Sequence, residues 1–330
     1  MKRLGITAAK NLIRMAVLLV LVSGAAFFLV SVSPSDPLKT NVGQAALGSM
    51  SQEQIAKLEE YWGVDTPPVK RFFSWASAFI KGDMGTSLLY RQPVSKVIAE
   101  KLKSSLWLMA IAWVISGTMG FLLGILAGVN RGKLIDRLIS GYALITASTP
   151  AFWLALMLLM VFAVWLKVLP IGLSVPIGTE ASAVTIGDRI LHGILPAVTL
   201  SLTGISGIAM HTREKMAEVM GSDYMMFAKA RGESKWQAIR HHGLRNIALP
   251  AMTLQFASIS EIFGGSVLVE QVFSYPGLGQ AAITAGLGGD IPLLLGIAVI
   301  SAAIVFMGNF TANLLYSAVD PRIRIGRDQA

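Results

Sequence analysis

Six long apolar stretches constrain this chain more than any other feature of its sequence. A helix needs about 20 mostly apolar residues to cross about 30 Å of hydrocarbon. The stretches lack the alternation of apolar and polar residues that is typical of barrel strands. They cover residues 15–32, 104–129, 138–166, 191–210, 247–269 and 291–319. The sequence therefore predicts an all-α, polytopic membrane protein with six transmembrane helices.

Composition and charge support this prediction and give an orientation. The 330-residue chain is 54% hydrophobic and 14% charged, which leaves too little polar surface for a soluble protein. Its net charge of +9 does not indicate nucleic-acid binding, because the basic residues cluster at the ends of the apolar stretches. Segments 1–14, 130–137, 211–246 and 320–330 hold 17 of the 28 Lys and Arg residues. The positive-inside rule therefore predicts a multi-pass membrane protein with both termini in the cytoplasm.

The stretches divide the chain into four parts. We expect a cytoplasmic N-terminus with the first helix over 1–32, an extracytoplasmic loop domain over 33–103, a five-helix transmembrane core over 104–319 and a cytoplasmic tail over 320–330. In the loop domain, Ser51 as N-cap and Gln54 at the capping-box position predict a surface helix.

Two local features stand out inside the spans. Gly120, Gly124 and Gly128 recur every four residues, so they share one helix face where another helix can approach closely. The spacing leaves open whether that helix belongs to this chain or to another subunit. Pro150 interrupts the third span and predicts a kink or a break there.

The polar segment 211–246 is longer than a simple connection between helices needs. Residues 222–230 and 234–243 both have helix-forming composition, and Gly232 between them suits a left-handed turn. Trp236, Ile239 and Gly243 fall on one side of the second helix, which favours docking on a partner. The alternative is an amphipathic loop on the membrane surface, to which basic residues are also attracted.

Five segments together resemble one branch of a known family. Residues 226–245, with the core FAKARGESKWQAIRHHGLR, resemble the cytoplasmic coupling motif of binding-protein-dependent ABC importer permeases, in the form found in the dipeptide, oligopeptide and nickel branch. The Glu-Ala-Ala opening of the general motif is here Met226-Phe227-Ala228, which is similar to this branch's own version. The other four segments are WGVD (62–65) with Pro67, GDMGTS (82–87) with RQPV (91–94), VEQVFSYPGLG (269–279) and DPRIR (320–324).

The resemblance implies a permease subunit of an ABC importer with a type I permease fold. It implies a homologous second permease, two ATPase subunits at the cytoplasmic face and an extracytoplasmic solute-binding protein as partners. Small residues would allow close approach to an ATPase groove, and arginines would offer charge to an acidic partner surface. The implied coupling residues are Ala228, Ala230, Arg231, Gly232, Glu233, Arg240 and Arg245.

Catalytic and metal chemistry find little support in this sequence. The chain has no GxxxxGK[ST] loop, so we expect no cofactor in it, with ATP and Mg bound on the ATPase subunits. The adjacent His241 and His242 would point about 100° apart on a helix, unlike an i, i+4 metal-binding pair. Cysteine is absent, which excludes thiolate sites.

Two acidic residues are candidates for the translocation pathway. Glu261 lies halfway along the fifth span, where a carboxylate facing lipid is costly, so it should face a cavity or a partner. It either favours a cationic solute or makes a structural hydrogen bond to a neighbouring subunit. Glu270 is expected at the external mouth.

Two other classes of protein compete with this interpretation. An ion-coupled secondary transporter would act alone, but the sequence shows no obvious inverted repeat. A membrane-embedded enzyme would need catalytic groups that converge at one depth of the bilayer. Within the resembled branch, the sequence leaves peptides, nickel and other metal chelates open as substrates.

Overall fold

The computed structural model describes residues 2–32, 37–62, 66–179 and 183–319. Within these residues the protein is helical, with no strand beyond an isolated antiparallel bridge between Thr86 and Pro93, so the predicted all-α fold is confirmed. The helices are α1 (Lys2–Val32), α2 (Pro37–Val42), α3 (Gln44–Ser49), α4 (Gln52–Trp62), α5 (Pro68–Ile80), α6 (Val94–Val129), α7 (Leu134–Ser148), α8 (Ala151–Leu158), α9 (Ile186–Met220), α10 (Asp223–Ala230), α11 (Lys235–Ala238), α12 (Leu244–Val272), α13 (Leu278–Gly288) and α14 (Ile291–Val319). Two π-helical segments, Leu159–Trp165 and Ile239–Gly243, follow α8 and α11.

Some of the segments that the sequence analysis names lie outside the described residues. Residues 63–65 of the WGVD segment and the whole predicted tail 320–330, with its DPRIR segment, are outside the described residues. The predicted loop domain 33–103 overlaps a transmembrane helix, since α6 begins at Val94 and not at Ser104.

The described residues contain enough apolar helix for six membrane crossings. Five helical spans are long and apolar enough to cross alone, and a sixth crossing results if one bent pair of helices counts as a single span. The pair consists of Leu134–Ser148 and Ala151–Trp165, whose axes differ by 108°. The chain is therefore a multi-pass membrane protein, as the sequence predicts.

The bend lies at Pro150, where the sequence predicts a kink or a break. Thr149 has φ −99° and ψ 125°, and Pro150 has φ −59° and ψ 138°. Proline disfavours helical geometry in the residue before it and has no N–H to donate. Two successive extended residues turn the chain sharply, so the structure shows a break.

By their internal contacts the residues form two units. The first comprises Met1–Ser105 and Pro276–Phe306, and the second comprises Leu106–Tyr275 and Met307–Ala330. In the first unit the predicted capping box is confirmed, since Ser51 N–H donates to Gln54 Oε1 (2.9 Å) and Gln54 N–H donates to Ser51 Oγ (3.3 Å).

The GDMGTS segment has a structural role in the first unit. Buried Asp290 accepts hydrogen bonds from Ser87 Oγ (2.6 Å) and from the Leu89 N–H (3.0 Å). It also accepts from the Leu293 N–H (3.2 Å) in the first turn of α14. A buried carboxylate is stable when such donors surround it, so this segment is tied to the start of α14.

In the second unit, α6 packs against α9 through the three glycines. A Cβ atom added at Gly124 would lie 2.5 Å from the Thr212 Cβ and 2.7 Å from the Ala209 carbonyl oxygen. Gly120 and Gly128 meet Ile208 and Met216 at similar distances, one turn to either side. The close helix contact that the spacing predicts therefore lies within this chain.

Replacing Gly124 with alanine is expected to destabilise the protein. Alanine is about 1 kcal/mol more favourable than glycine inside a helix, but its methyl group would push against a backbone carbonyl that cannot move alone. Overpacking of this kind costs about 1–3 kcal/mol, so we expect a lower free energy of unfolding for the purified chain in detergent. Gly207→Ala on α9 is the control, because nothing lies within 4 Å of its added Cβ. Equal stability of the two variants would contradict the packing.

Candidate functional site

The segment after α9 folds as the sequence predicts, with two helices joined at a glycine turn. Gly232 has φ +83°, in the left-handed region. Its N–H donates to the Lys229 carbonyl (2.9 Å), and the Glu233 N–H donates to the Ala228 carbonyl (3.1 Å). These two bonds form a Schellman motif, which ends α10 and satisfies two of its last carbonyl groups.

A capping box starts the second helix directly after this turn. Ser234 N–H donates to Gln237 Oε1 (2.9 Å), and Gln237 N–H donates to Ser234 Oγ (3.4 Å). The turn is therefore closed on both sides by local hydrogen bonds. The left-handed φ of Gly232 and the capping box of Ser234 and Gln237 set its local conformation.

One face of this helical hairpin is buried against the chain's own core. Met225 and Ala228 of α10 are buried three residues apart, on one side of that helix. Ile239 and Gly243 are also buried, so the prediction that they face a partner is wrong. Their surroundings belong to this chain: Ile125 of α6, Met216 and Val219 of α9, Ala238 of α11 and Ile247 of α12.

Four large apolar or aromatic side chains of the hairpin are exposed, and of these only Trp236 is predicted from the sequence to face a partner. Phe227 is 71% exposed and Trp236 is 62% exposed, and Tyr224 and Met226 are exposed beside Phe227. Because Met225 and Ala228 are buried, the two residues between them, Met226 and Phe227, point outward. Exposed apolar side chains at the neighbouring positions 224, 226 and 227 of a polar segment are typical of a contact surface, whereas Trp236 lines a separate pocket with Leu126 and Leu244 of this chain.

Charged side chains add to this exposed face and stabilise the turn. Arg231 Nη2 donates to Glu233 Oε1 (2.8 Å), and His242 Nε2 lies 3.3 Å from the same carboxylate. The Arg231 hydrogen bond, with His242 as a second contributor, lowers the pKa of Glu233 below its usual value. Arg231 therefore forms an ion pair within the hairpin. The other two arginines of the predicted coupling set, Arg240 and Arg245, are exposed. Its small residues Ala230 and Gly232 are exposed as well.

An ion pair with a buried carboxylate holds α9 just before the hairpin. Arg213 Nη2 donates to Asp136 Oδ2 (2.8 Å) and Arg213 Nε donates to Asp136 Oδ1. Asp136 also accepts the Gly132 N–H (2.8 Å) and is buried in the first turn of α7. The pair ties α9 to α7 about 10 Å before α9 ends at Met220. Sequence reasoning missed Asp136, whose one signal was an acidic residue among Arg131, Lys133 and Arg137.

The structure does not bring the two candidate pathway acids together. Glu261 is exposed on α12, whereas Glu270 is fully buried near the end of the same helix. Nine residues separate them, which is about 14 Å along the helix and about 180° around it. They therefore lie on opposite faces of α12 and cannot act on one solute group at the same time.

No metal site forms around these acidic residues or the histidines. The His241 and His242 rings lie 6.3 Å apart at nearly a right angle. Across the described ranges of the chain, no three His, Asp or Glu side chains are placed to hold a metal ion.

Comparison with known proteins gives a consistent result. Residues 120–325 match the family described as binding-protein-dependent transport system inner membrane component. The chain is 34% identical to the oligopeptide transport system permease protein AppB of Bacillus subtilis, over 90% of this chain and 92% of that protein. It is 30% identical to the probable peptide ABC transporter permease protein y4tP of Sinorhizobium fredii, over 97% of this chain and 100% of that protein.

Two further comparisons extend this set. The glutathione transport system permease protein GsiC of Salmonella paratyphi A is 32% identical, over 96% of this chain and 97% of that protein. Among solved structures, an amino acid ABC transporter crystallised with histidines matches with 19% identity and a TM-score of 0.48, over 69% of this chain and 94% of that one.

Proposed function

Because the chain belongs to the family of binding-protein-dependent transport system inner membrane components, we propose that it is a permease subunit of an ABC importer for peptides. It would form the translocation pathway together with a homologous permease. An extracytoplasmic binding protein would deliver the substrate. The names of the relatives above refer to oligopeptides, peptides and glutathione, which favours peptides over the nickel chelates that the sequence left open.

The helical hairpin of α10 and α11 is the observation that carries this proposal. Its inner face is packed on the chain's own core, while the side chains of Phe227, Trp236 and Arg240 are exposed. Exposed aromatic and arginine side chains on a rigid base are typical of residues that anchor protein interfaces. The proposed partner is an ATPase subunit, which would bind the ATP and Mg that this chain has no loop to bind.

Each predicted coupling residue then has a proposed role. Ala228 lets α10 pack closely on the core, and Ala230 and Gly232 leave room for the partner at the turn. The pair of Arg231 and Glu233 holds the turn, and Arg240 and Arg245 offer charge to an acidic partner surface. This set is larger by Tyr224, Met226, Phe227 and Trp236 than the one proposed from sequence.

The proposed transport cycle is alternating access. Two ATPases would close on ATP, move the hairpins of the two permeases, and change the side to which the pathway opens. Both termini would be cytoplasmic. Glu261 is the stronger pathway candidate of the two acids, because an exposed carboxylate in a transmembrane helix has to face a polar cavity or a partner chain. Glu270, being buried, would support the structure at the outer end of α12.

The test is uptake by the purified assembly. We expect the tagged chain, expressed with its neighbouring genes, to copurify with ATPase subunits. Proteoliposomes of the assembly should take up labelled peptide when ATP is inside them and the binding protein is outside. Mass spectrometry of the ligand on the copurified binding protein would identify the peptide class. Uptake by this chain alone, driven by an ion gradient, would contradict the proposal and support a secondary transporter.

A further inference from the structure

The short helix α5 has an apolar face that the first unit leaves open. Val69, Phe73 and Ile80 are 68%, 65% and 85% exposed, respectively. At about 100° per residue, Phe73 and Ile80 lie within about 40° of Val69, so the three form one stripe along the helix. The polar residues Lys70, Ser74, Ser77 and Lys81 occupy an arc about 80–140° away from Val69.

A second apolar arc of α5 packs on the membrane-spanning helix α1. The Phe72 ring lies 5.2 Å from the buried Phe27 ring of α1, and the Arg71 guanidinium lies 5.8 Å from the centroid of the same ring. Trp75 and Phe79 stack beside Phe72, with 5.2 Å between their own rings. The open stripe of Val69, Phe73 and Ile80 is therefore not the surface that binds α5 to α1.

The depth of this contact along α1 can be estimated. The span of α1 runs over Ile13–Val32, which is 20 residues and so about one hydrocarbon thickness. Phe27 lies five residues before Val32, which is about 8 Å from the end of the span. Amphipathic helices that lie on a bilayer bury their apolar face about 5–10 Å into the boundary between headgroups and acyl chains.

We infer that α5 is an interfacial helix whose stripe of Val69, Phe73 and Ile80 is embedded in the bilayer leaflet at the Val32 end of α1. Its partner is thus the lipid surface. The polar arc then faces water, and Lys70 and Lys81 at the two ends of the helix can reach the phosphates of anionic lipids with their long side chains. The segment before α6 is consequently anchored to the membrane at two points, by α1 and by α5.

Single-cysteine labelling tests this inference, because the chain contains no cysteine. Phe73→Cys and Ile80→Cys place a spin label on the stripe, and Ser74→Cys and Ser77→Cys are matched controls on the polar arc of the same helix. All four side chains are exposed, so the fold should tolerate the labels. The full-length chain is reconstituted in nanodiscs of phosphatidylcholine and phosphatidylglycerol, alone and with its copurified subunits. Accessibility is measured to oxygen, which partitions into lipid, and to chromium oxalate, which stays in water.

We expect the ratio of oxygen to chromium oxalate accessibility to be several-fold higher at positions 73 and 80 than at 74 and 77, in both samples. A ratio at 73 and 80 equal to that of the controls would show that the stripe is in water. Protection of 73 and 80 from both reagents after assembly would show that a protein subunit covers it. Either result would overturn the inference.

Discussion

Replacing Gly232 with valine is expected to reduce peptide uptake at least about tenfold while the chain remains inserted and folded. Gly232 has φ +83°, and a β-branched residue pays about 1–2 kcal/mol or more in that region. If this strain is relieved by opening the turn, α10 and α11 no longer keep their relative orientation, and a docking energy reduced by 1.4 kcal/mol already means about tenfold weaker binding. Nothing lies within 4 Å of an added Cβ, so the substitution causes no clash inside the chain.

Two comparisons separate this effect from general strain. Gly178→Val introduces the same strain at φ +79°, also with open space around the Cβ, but far along the chain from the hairpin, and it should keep normal uptake. Gly232→Asn should retain more uptake than Gly232→Val, because asparagine tolerates the left-handed region. ATP hydrolysis and uptake are measured together in proteoliposomes, and hydrolysis without uptake is the expected signature. Normal uptake by Gly232→Val would refute the coupling role of the hairpin.

Features set by neighbouring residues could be predicted from the sequence. Pro150 determines its own φ and restricts Thr149, so a break was foreseeable without knowledge of the fold. Gly232 and the capping box of Ser51 and Gln54 are likewise local, since each depends on residues at most four positions away. The membrane spans follow from apolar length alone.

Features set by distant residues could not be predicted. Asp136 and Arg213 are 77 positions apart, and only the packing of α7 on α9 shows that they meet. Ile239 and Gly243 share one side of their helix, as predicted, but whether that side meets a partner or the chain's own core depends on distant residues. It is buried because Ile239 packs against residues such as Ile125 of α6 and Met216 of α9. The exposure of Tyr224, Met226 and Phe227 is visible only after the buried residues have been placed.

These distant contacts connect the hairpin to the other helices of the second unit. The glycines of α6 hold α9 by close backbone packing along three turns, and the ion pair of Asp136 and Arg213 holds it on its α7 side. Met216 and Val219 of α9 belong to the buried core on which α10 packs. A force applied to the exposed face of the hairpin would therefore be transmitted to α6 and α7 as a displacement of α9.

The ion pair is the point at which this connection is most sensitive to a single substitution. Asp136→Ala is expected to lower the free energy of unfolding by about 3–5 kcal/mol, because it leaves the mostly buried Arg213 guanidinium without its carboxylate. Glu218→Ala is the matched control on α9, since it removes an exposed ion pair with Lys215 (2.9 Å) that is worth about 0–1 kcal/mol. The double variant Asp136→Leu with Arg213→Met should recover much of the loss, because replacing a whole buried pair by apolar residues is often close to neutral.

Thermal unfolding of the purified chain in detergent, read together with ATP-driven uptake, distinguishes stability from coupling for these variants. If the double variant is stable but transports poorly, the ion pair between α7 and α9 is needed for the movement of α9 and not only for stability. If it transports normally, apolar packing at the same place is a sufficient connection. An Asp136→Ala variant as stable as Glu218→Ala would instead show that helix packing holds α9 in place without the ion pair.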